Sequence, residues 1–108
     1  NAYENMPKRV YQMAEVFSYA SLIDAMYKVG EKDKANEITK RNLKYLRENM
    51  AYYTAIAESK PNLEYRNMRF GLASIQNYQR VLTDANQKEL LDEVNKIFEV
   101  YRPLFEGN

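Results

Sequence analysis

Apolar residues recur every three to four positions along almost the whole chain, which is the spacing of one face of an α-helix. This pattern predicts four helices, over residues 7–29, 33–57, 63–82 and 87–105. We expect the inward stripes of the last three helices to be Ala35, Ile38, Leu46, Met50 and Tyr53; then Met68, Leu72, Ile75, Tyr78 and Leu82; then Leu90, Leu91, Val94, Ile97, Phe98, Tyr101 and Leu104.

Residues typical of helix ends divide these segments. Asn5 is a candidate N-cap, Pro7 suits a first helical turn, and Gly30 suits a C-terminal stop. Residues 59–62 break the chain, and residues 83–86 form a tight connection. Because short connections make neighbouring helices antiparallel, we predict one all-α domain over residues 1–108, with two helical hairpins. Its architecture is either a four-helix bundle or a short stack of helical repeats.

The first helix differs from the other three because most of its positions from Val10 to Val29 are apolar. Its charges share no face, since Glu15 and Asp24 point to opposite sides. A helix without a broad polar side is packed on more than one side. The elements that pack against the first helix are therefore the second and third helices, an element that precedes it, or another copy of the same helix.

The first hairpin resembles a tetratricopeptide repeat, in which small and large apolar residues flank a glycine turn. The residues that carry this resemblance are Leu22, Ala25, Tyr27, Gly30, Ala35 and Leu43. The chain departs from the family at Ile23, Thr39 and Asn42, and the second hairpin follows the pattern more weakly. The resemblance implies an α-α superhelix, in which Ala25 and Ala35 make room for the paired helix.

A second resemblance is to the soluble C-terminal tail of a bacterial membrane protein family that is similar to protein O-mannosyltransferases. It is carried by residues 25–38, which read AMYKVGEKDKANEI, and by residues 49–53, which read NMAYY. It implies that this chain is the helical appendage, on the extracytoplasmic side, of a glycosyltransferase-like protein whose catalytic residues lie elsewhere. The chain does not begin with Met, which agrees with our expectation of a fragment.

The amino-acid composition excludes several kinds of metal site, catalytic site and partner. The chain has no histidine and no cysteine, which excludes the common zinc, haem and iron–sulfur sites, a cysteine nucleophile and a Ser-His-Asp triad. The net charge is +1 and basic residues alternate with acidic ones, as in the expected pairs Glu37–Arg41 and Lys44–Glu48, so we expect no nucleic-acid partner. No apolar run approaches the ~20 residues of a membrane-spanning helix, so this chain is expected not to span one.

One cluster of acidic residues suggests a cation site, but a simpler interpretation exists. Glu89, Asp92 and Glu93 follow the start of the fourth helix, where carboxylates stabilise the helix dipole. Calcium needs six or more oxygen ligands, and no loop supplies them. We therefore predict no metal, no cofactor and no catalytic residue in this chain.

Tyrosine is the compositional outlier, with ten residues and no tryptophan. Tyrosine combines a large apolar ring with a polar hydroxyl, which suits both helix packing and recognition surfaces. As a candidate interaction surface we select Tyr11, Tyr19, Arg41, Tyr45 and Tyr52.

The sequence thus favours a non-catalytic scaffold that binds a protein partner or the remainder of a parent chain. Two alternatives stay open: a self-associating bundle that forms a homodimer, and a module that recognises a sugar or peptide through exposed tyrosines.

Overall fold

The computed structural model describes the backbone of residues 2–59 and 63–106, and the side chains of residues 8–56 and 66–105. It contains four helices: α1 (Ala2–Lys28), α2 (Lys32–Ser59), α3 (Leu63–Asp84) and α4 (Lys88–Glu106). No β-strand occurs in the described backbone. The prediction of an all-α fold with two helical hairpins is therefore confirmed.

The helices form a flattened body of 43 × 32 × 17 Å. Helix α1 packs against α2 and α3, while α3 also packs against α2 and α4. Helices α2 and α4 meet over a smaller area, and the described parts of α1 and α4 do not touch. Helix α1 thus lies at an outer corner with neighbours on one side only. This arrangement is compatible with both a four-helix bundle and a pair of stacked hairpins.

A single core joins all four helices. The predicted inward residues of α2, α3 and α4 are either buried or packed against this core. From α1 the core receives Met13, Val16, Ala20 and Ile23. The pattern did not predict Thr39, Asn42 and Asn49 as core residues, yet all three polar side chains are fully buried.

The two hairpin turns have the same geometry. Gly30 and Asn86 both adopt positive φ angles, of 87° and 58°. After α1, the N–H of Glu31 donates to the carbonyl of Met26, and the N–H of Gly30 to that of Tyr27. After α3, Gln87 donates to Leu82 and Asn86 to Thr83 in the same way. Both helices therefore end in a Schellman motif, which satisfies carbonyls that the helix leaves open.

Glycine also allows a close contact between helices. A Cβ atom at Gly71 of α3 would collide with the sulfur of Met50 from α2 and lie 3.1 Å from Cε of Met13 from α1. The missing side chain lets α3 approach both other helices at this level of the core.

Several local predictions need correction. Helix α1 begins at Ala2 rather than at Pro7, so Asn5 lies inside the helix and does not cap it. Pro7 therefore lies beyond the first turn, where its missing N–H removes one helical hydrogen bond. Ala25 is exposed, whereas Ala35 is fully buried as expected. The chain was predicted to break over residues 59–62. Helix α2 continues to Ser59, and residues 60–62 lie outside the described residues.

Candidate interaction surface

The side of α1 that points away from α2 and α3 is almost free of charge. Ten exposed residues from position 10 to 29 lie on this side, the last of them directly after the end of the helix. We call them the outer α1 face: Val10, Tyr11, Ala14, Phe17, Ser18, Ser21, Leu22, Ala25, Lys28 and Val29. Only Lys28 among them is charged, and its ammonium pairs with Asp24 at 3.0 Å. The face therefore extends along most of α1 with a single charge at one end.

Large apolar side chains concentrate on this face. Tyr11 and Val29 are each 75% exposed, and Val10, Phe17 and Leu22 are a little under half exposed. With Phe70 of α3, they make up six of the seven large exposed hydrophobic side chains that the described residues contain. Scattered apolar side chains are normal on a soluble surface, but a concentration of them marks a binding surface.

A groove of about 420 Å³ continues this face toward α3. Phe17 and Phe70 form its centre, with ring centroids 5.4 Å apart at an angle of 66°. Val10, Met13, Ala14, Ser18 and Asn67 complete the lining. Its walls offer apolar contact rather than hydrogen bonding, which suits a protein side chain better than a sugar.

The structure places two of the five sequence-selected residues, Arg41 and Tyr52, at the contact between α1 and α2. Arg41 bridges the helices, because its Nε and Nη2 lie 3.0 and 2.9 Å from one carboxylate oxygen of Glu15. Tyr19 and Tyr45 are half-buried and pack against the core. Only Tyr11 of the five belongs to the outer α1 face.

Tyr52 lies at the other end of the same helix contact. The guanidinium of Arg9 lies 4.2 Å above its ring, and the ring of Tyr53 meets it edge-on at 5.2 Å. Arg9 also donates to the side-chain oxygen of Asn49 at 2.9 Å. Tyr52 and Arg41 are thus engaged in joining α1 to α2, and they form no open aromatic platform with Tyr45.

Sequence reasoning missed Phe17, Leu22 and Phe70 as surface residues. A usable signal was present, since at 100° per residue Arg9, Glu15 and Asp24 all fall outside the side of α1 that holds Tyr11 and Ser18. Which of the apolar residues stay exposed depends on the corner position of α1.

The polar side chains in the core serve structure. Nδ2 of Asn42 donates to the hydroxyl of Tyr78 at 3.1 Å, and this hydroxyl donates to the carbonyl of Val16 at 2.6 Å. Burial raises the pKa of Tyr78 far above that of a free tyrosine, and the hydrogen bond from Asn42 lowers it by a smaller amount. Tyr78 thus stays protonated and ties α3 to α1 and α2.

The charged residues of α2 pair differently from the sequence prediction. Arg41 binds Glu15 of α1 instead of Glu37, and the described side chains include no Lys44–Glu48 ion pair. The prediction failed because spacing along one helix cannot reveal an acid on the neighbouring helix.

Neither a cluster of metal ligands nor a membrane-spanning helix occurs among the described residues. Among the described residues, no three acidic side chains come close enough together to hold a metal ion. Within the same residues, none of the helices combines the length and the apolarity needed to cross a membrane. Glu89 lies in the first turn of α4, where the helix dipole favours it.

Comparison of the chain with protein-family models, with curated proteins and with solved structures finds no match. The resemblances to a tetratricopeptide repeat and to the tail of a membrane protein family therefore stay predictions.

Proposed function

We propose that this chain is a non-catalytic helical interaction domain, which binds another protein surface through the outer α1 face. The observation that carries the proposal is the concentration of exposed apolar side chains on this face and on Phe70. Covering them removes apolar surface from water, which is the main driving force of protein association.

The contrast with the exposed side of α2 supports the assignment of the binding surface to α1. The exposed side of α2 mixes Lys40, Lys44 and Arg47 with Glu37 and Glu48. Charged side chains of both signs keep a surface hydrated and are depleted from the centre of protein interfaces. The outer α1 face lacks such side chains except at Lys28.

The helical-repeat part of the proposal has its own support. The two hairpins end their first helices with the same Schellman motif, although one uses Gly30 and the other Asn86. Equivalent turns are expected if the hairpins are divergent copies of one unit. For the proposed role as an appendage of a membrane glycosyltransferase-like protein, the support is the sequence resemblance of residues 25–38 and 49–53 alone.

The test is site-specific photo-crosslinking in the organism that makes the protein. A photoreactive residue replaces Ser21 on the outer α1 face, and a matched variant carries it at Lys44, which is exposed on α2. We expect a discrete protein adduct from position 21 and none from position 44. Leu22→Glu should abolish the adduct without changing the helical content, since Leu22 is nearly half exposed. Equal adducts from both positions, or none from position 21, would contradict the proposal.

A further inference from the structure

We infer that a cleft at the end of the molecule where both hairpins turn binds a compact anion with several phosphate groups. The cleft is a different surface from the outer α1 face, so the inference goes beyond the proposed function and does not depend on it. It follows from three lysine side chains of two helices that line one polar cavity together with a single acid.

The cleft lies between the beginnings of α2 and α4 and has a volume of about 520 Å³. These are the second helices of the two hairpins, and they meet over a small area only, which leaves space between them at this end. Apart from Leu90, every residue of the lining is polar or charged. The cleft therefore suits a hydrophilic ligand, in contrast to the groove beside Phe17.

Three lysines make the cleft positive. Lys32 is the first residue of α2, Lys40 follows on the same helix, and Lys88 is the first residue of α4. None of the three pairs with a described carboxylate, whereas nearby Lys34 forms an ion pair with Glu31. Ammonium groups that share a cleft repel one another, and an anion bound between them replaces this repulsion by attraction.

Glu89 is the one acid that lines the cleft. It lies in the first turn of α4, where the helix dipole stabilises a carboxylate. Three ammonium groups still outnumber its single negative charge, so the cleft selects an anion over a cation. Repulsion by Glu89 lowers the affinity for that anion, which gives the inference a variant that should bind more tightly.

An oriented amide adds neutral hydrogen-bond donors to the lining. The hydroxyl of Tyr27 donates to Oδ1 of Asn36 at 2.5 Å, and this bond fixes the amide of Asn36 against α1. Asn36 also lines the cleft, and its Nδ2 has no acceptor among the described residues. Its two N–H groups are therefore available to the oxygen atoms of an anion.

The spacing of the lysines favours an anion with more than one phosphate group. Lys32 and Lys40 are eight residues apart, which separates their Cα atoms by about 12 Å along α2. An elongated anion can contact both of them and Lys88, and phosphate oxygens accept strong hydrogen bonds from ammonium groups. Among the described residues that line the cleft none is aromatic, so a nucleic-acid base finds no ring to stack on.

The test is a titration of the isotope-labelled chain with sodium tripolyphosphate at low salt, followed by NMR. We expect saturable shifts of the amide signals at the beginnings of α2 and α4, with a dissociation constant below about 1 mM. Lys40→Gln and Lys88→Gln should each raise this constant about fivefold, because each removes one attractive charge from the exposed cleft. Added salt should weaken the binding, since it screens these charges.

Two further variants make the test specific to the cleft. Lys96→Gln removes the same charge from α4 about two helical turns beyond Lys88, outside the lining, and should leave the dissociation constant unchanged. Glu89→Gln should lower the constant about two- to fivefold, because it removes the like charge. No saturation below about 10 mM, or equal effects of Lys96→Gln and Lys88→Gln, would overturn the inference.

A second arm distinguishes a soluble phosphate compound from a lipid headgroup. The chain is sedimented with phosphatidylcholine vesicles that contain about 5% phosphatidylinositol bisphosphate. If these vesicles retain the chain and Lys88→Gln releases it, the phosphate groups belong to a headgroup. If tripolyphosphate binds but the vesicles do not retain the chain, the ligand is a soluble compound.

Failure of this inference is distinguishable from failure of the proposed function. The crosslinking experiment uses position 21 of α1, which does not line the cleft. Tripolyphosphate that does not bind would overturn the inference and leave the proposed role of the outer α1 face unaffected.

Discussion

Single residues determine how each hairpin turns. Gly30 and Asn86 adopt the left-handed conformation that the Schellman motif requires. Glycine was recognisable in the sequence as a helix stop. Asparagine is the side-chain-bearing residue that enters this conformation most readily, so Asn86 replaces glycine at a small energetic cost.

The two turns should respond oppositely to substitution. Asn86→Gly relieves a left-handed side chain and should raise the free energy of unfolding by up to about 1 kcal/mol. Gly30→Ala introduces one and should lower the free energy by about 1–2 kcal/mol, although a Cβ there meets no other atom. Urea unfolding followed by circular dichroism measures both changes. Equal shifts of the same sign would contradict the backbone explanation.

Gly71 shows the limit of residue-level reasoning. In the sequence it is an isolated glycine within a helical pattern, which is destabilising by itself. A glycine is needed at this position because Met13 and Met50, which belong to two other helices, occupy the space that its side chain would fill. Sequence spacing carries no information about this contact.

At the scale of the elements, a single tyrosine on α3 joins three helices. The hydroxyl of Tyr78 accepts a hydrogen bond from Asn42 of α2 and donates one to the backbone of α1. The helical pattern predicted Tyr78 as a core residue, but it did not predict these bonds. Buried polar groups that lose a partner destabilise a fold by more than the bond itself contributes.

Tyr78→Phe should therefore lower the free energy of unfolding by about 1–3 kcal/mol, because it leaves the buried amide of Asn42 without its acceptor. Tyr11→Phe is the matched control: it removes the same hydroxyl from the exposed face and should change stability by less than about 0.5 kcal/mol. Urea unfolding at low protein concentration, where self-association does not contribute, compares the two. A Tyr78→Phe variant as stable as the Tyr11→Phe variant would show that the buried bonds are energetically neutral.

The pairing of elements also decided the roles of the selected surface residues. Arg41 and Tyr52 looked equally available in the sequence, yet Glu15 and Arg9 of α1 engage them. A helical wheel of α2 identifies the side on which they lie. It does not identify the helix that covers that side.

At the scale of the whole molecule, buried tyrosines link stability to pH. Burial raises the pKa of Tyr78, Tyr27 and Tyr101 above the value of about 10 that tyrosine has in an unfolded chain. Above this pH the unfolded chain loses these protons while the folded chain keeps them. The unfolded state then binds fewer protons, so the free energy of unfolding falls as pH rises.

We expect the contribution of these tyrosines to stability to be fully present below pH 10 and to decrease above it, with a slope of at most about 1.4 kcal/mol per pH unit for each tyrosine. Urea unfolding at pH 8 to 11.5 measures this slope, with pH 8 as the reference. Because Tyr78→Phe removes the most strongly affected hydroxyl, this variant should show a smaller slope than the unmodified chain. Identical slopes would mean that Tyr78 ionises equally easily in both states.

By itself the sequence determined the four helices, the inward stripes of α2, α3 and α4, and the lack of histidine and cysteine chemistry. These follow from local periodicity and composition, which do not depend on how the helices are arranged. Only the tertiary structure decided that α1 lies at a corner, that Arg41 binds Glu15, and that Phe17, Leu22 and Phe70 stay exposed. The physical reason is that periodicity gives the direction of a side chain around its own helix, whereas burial depends on which other helix stands in that direction.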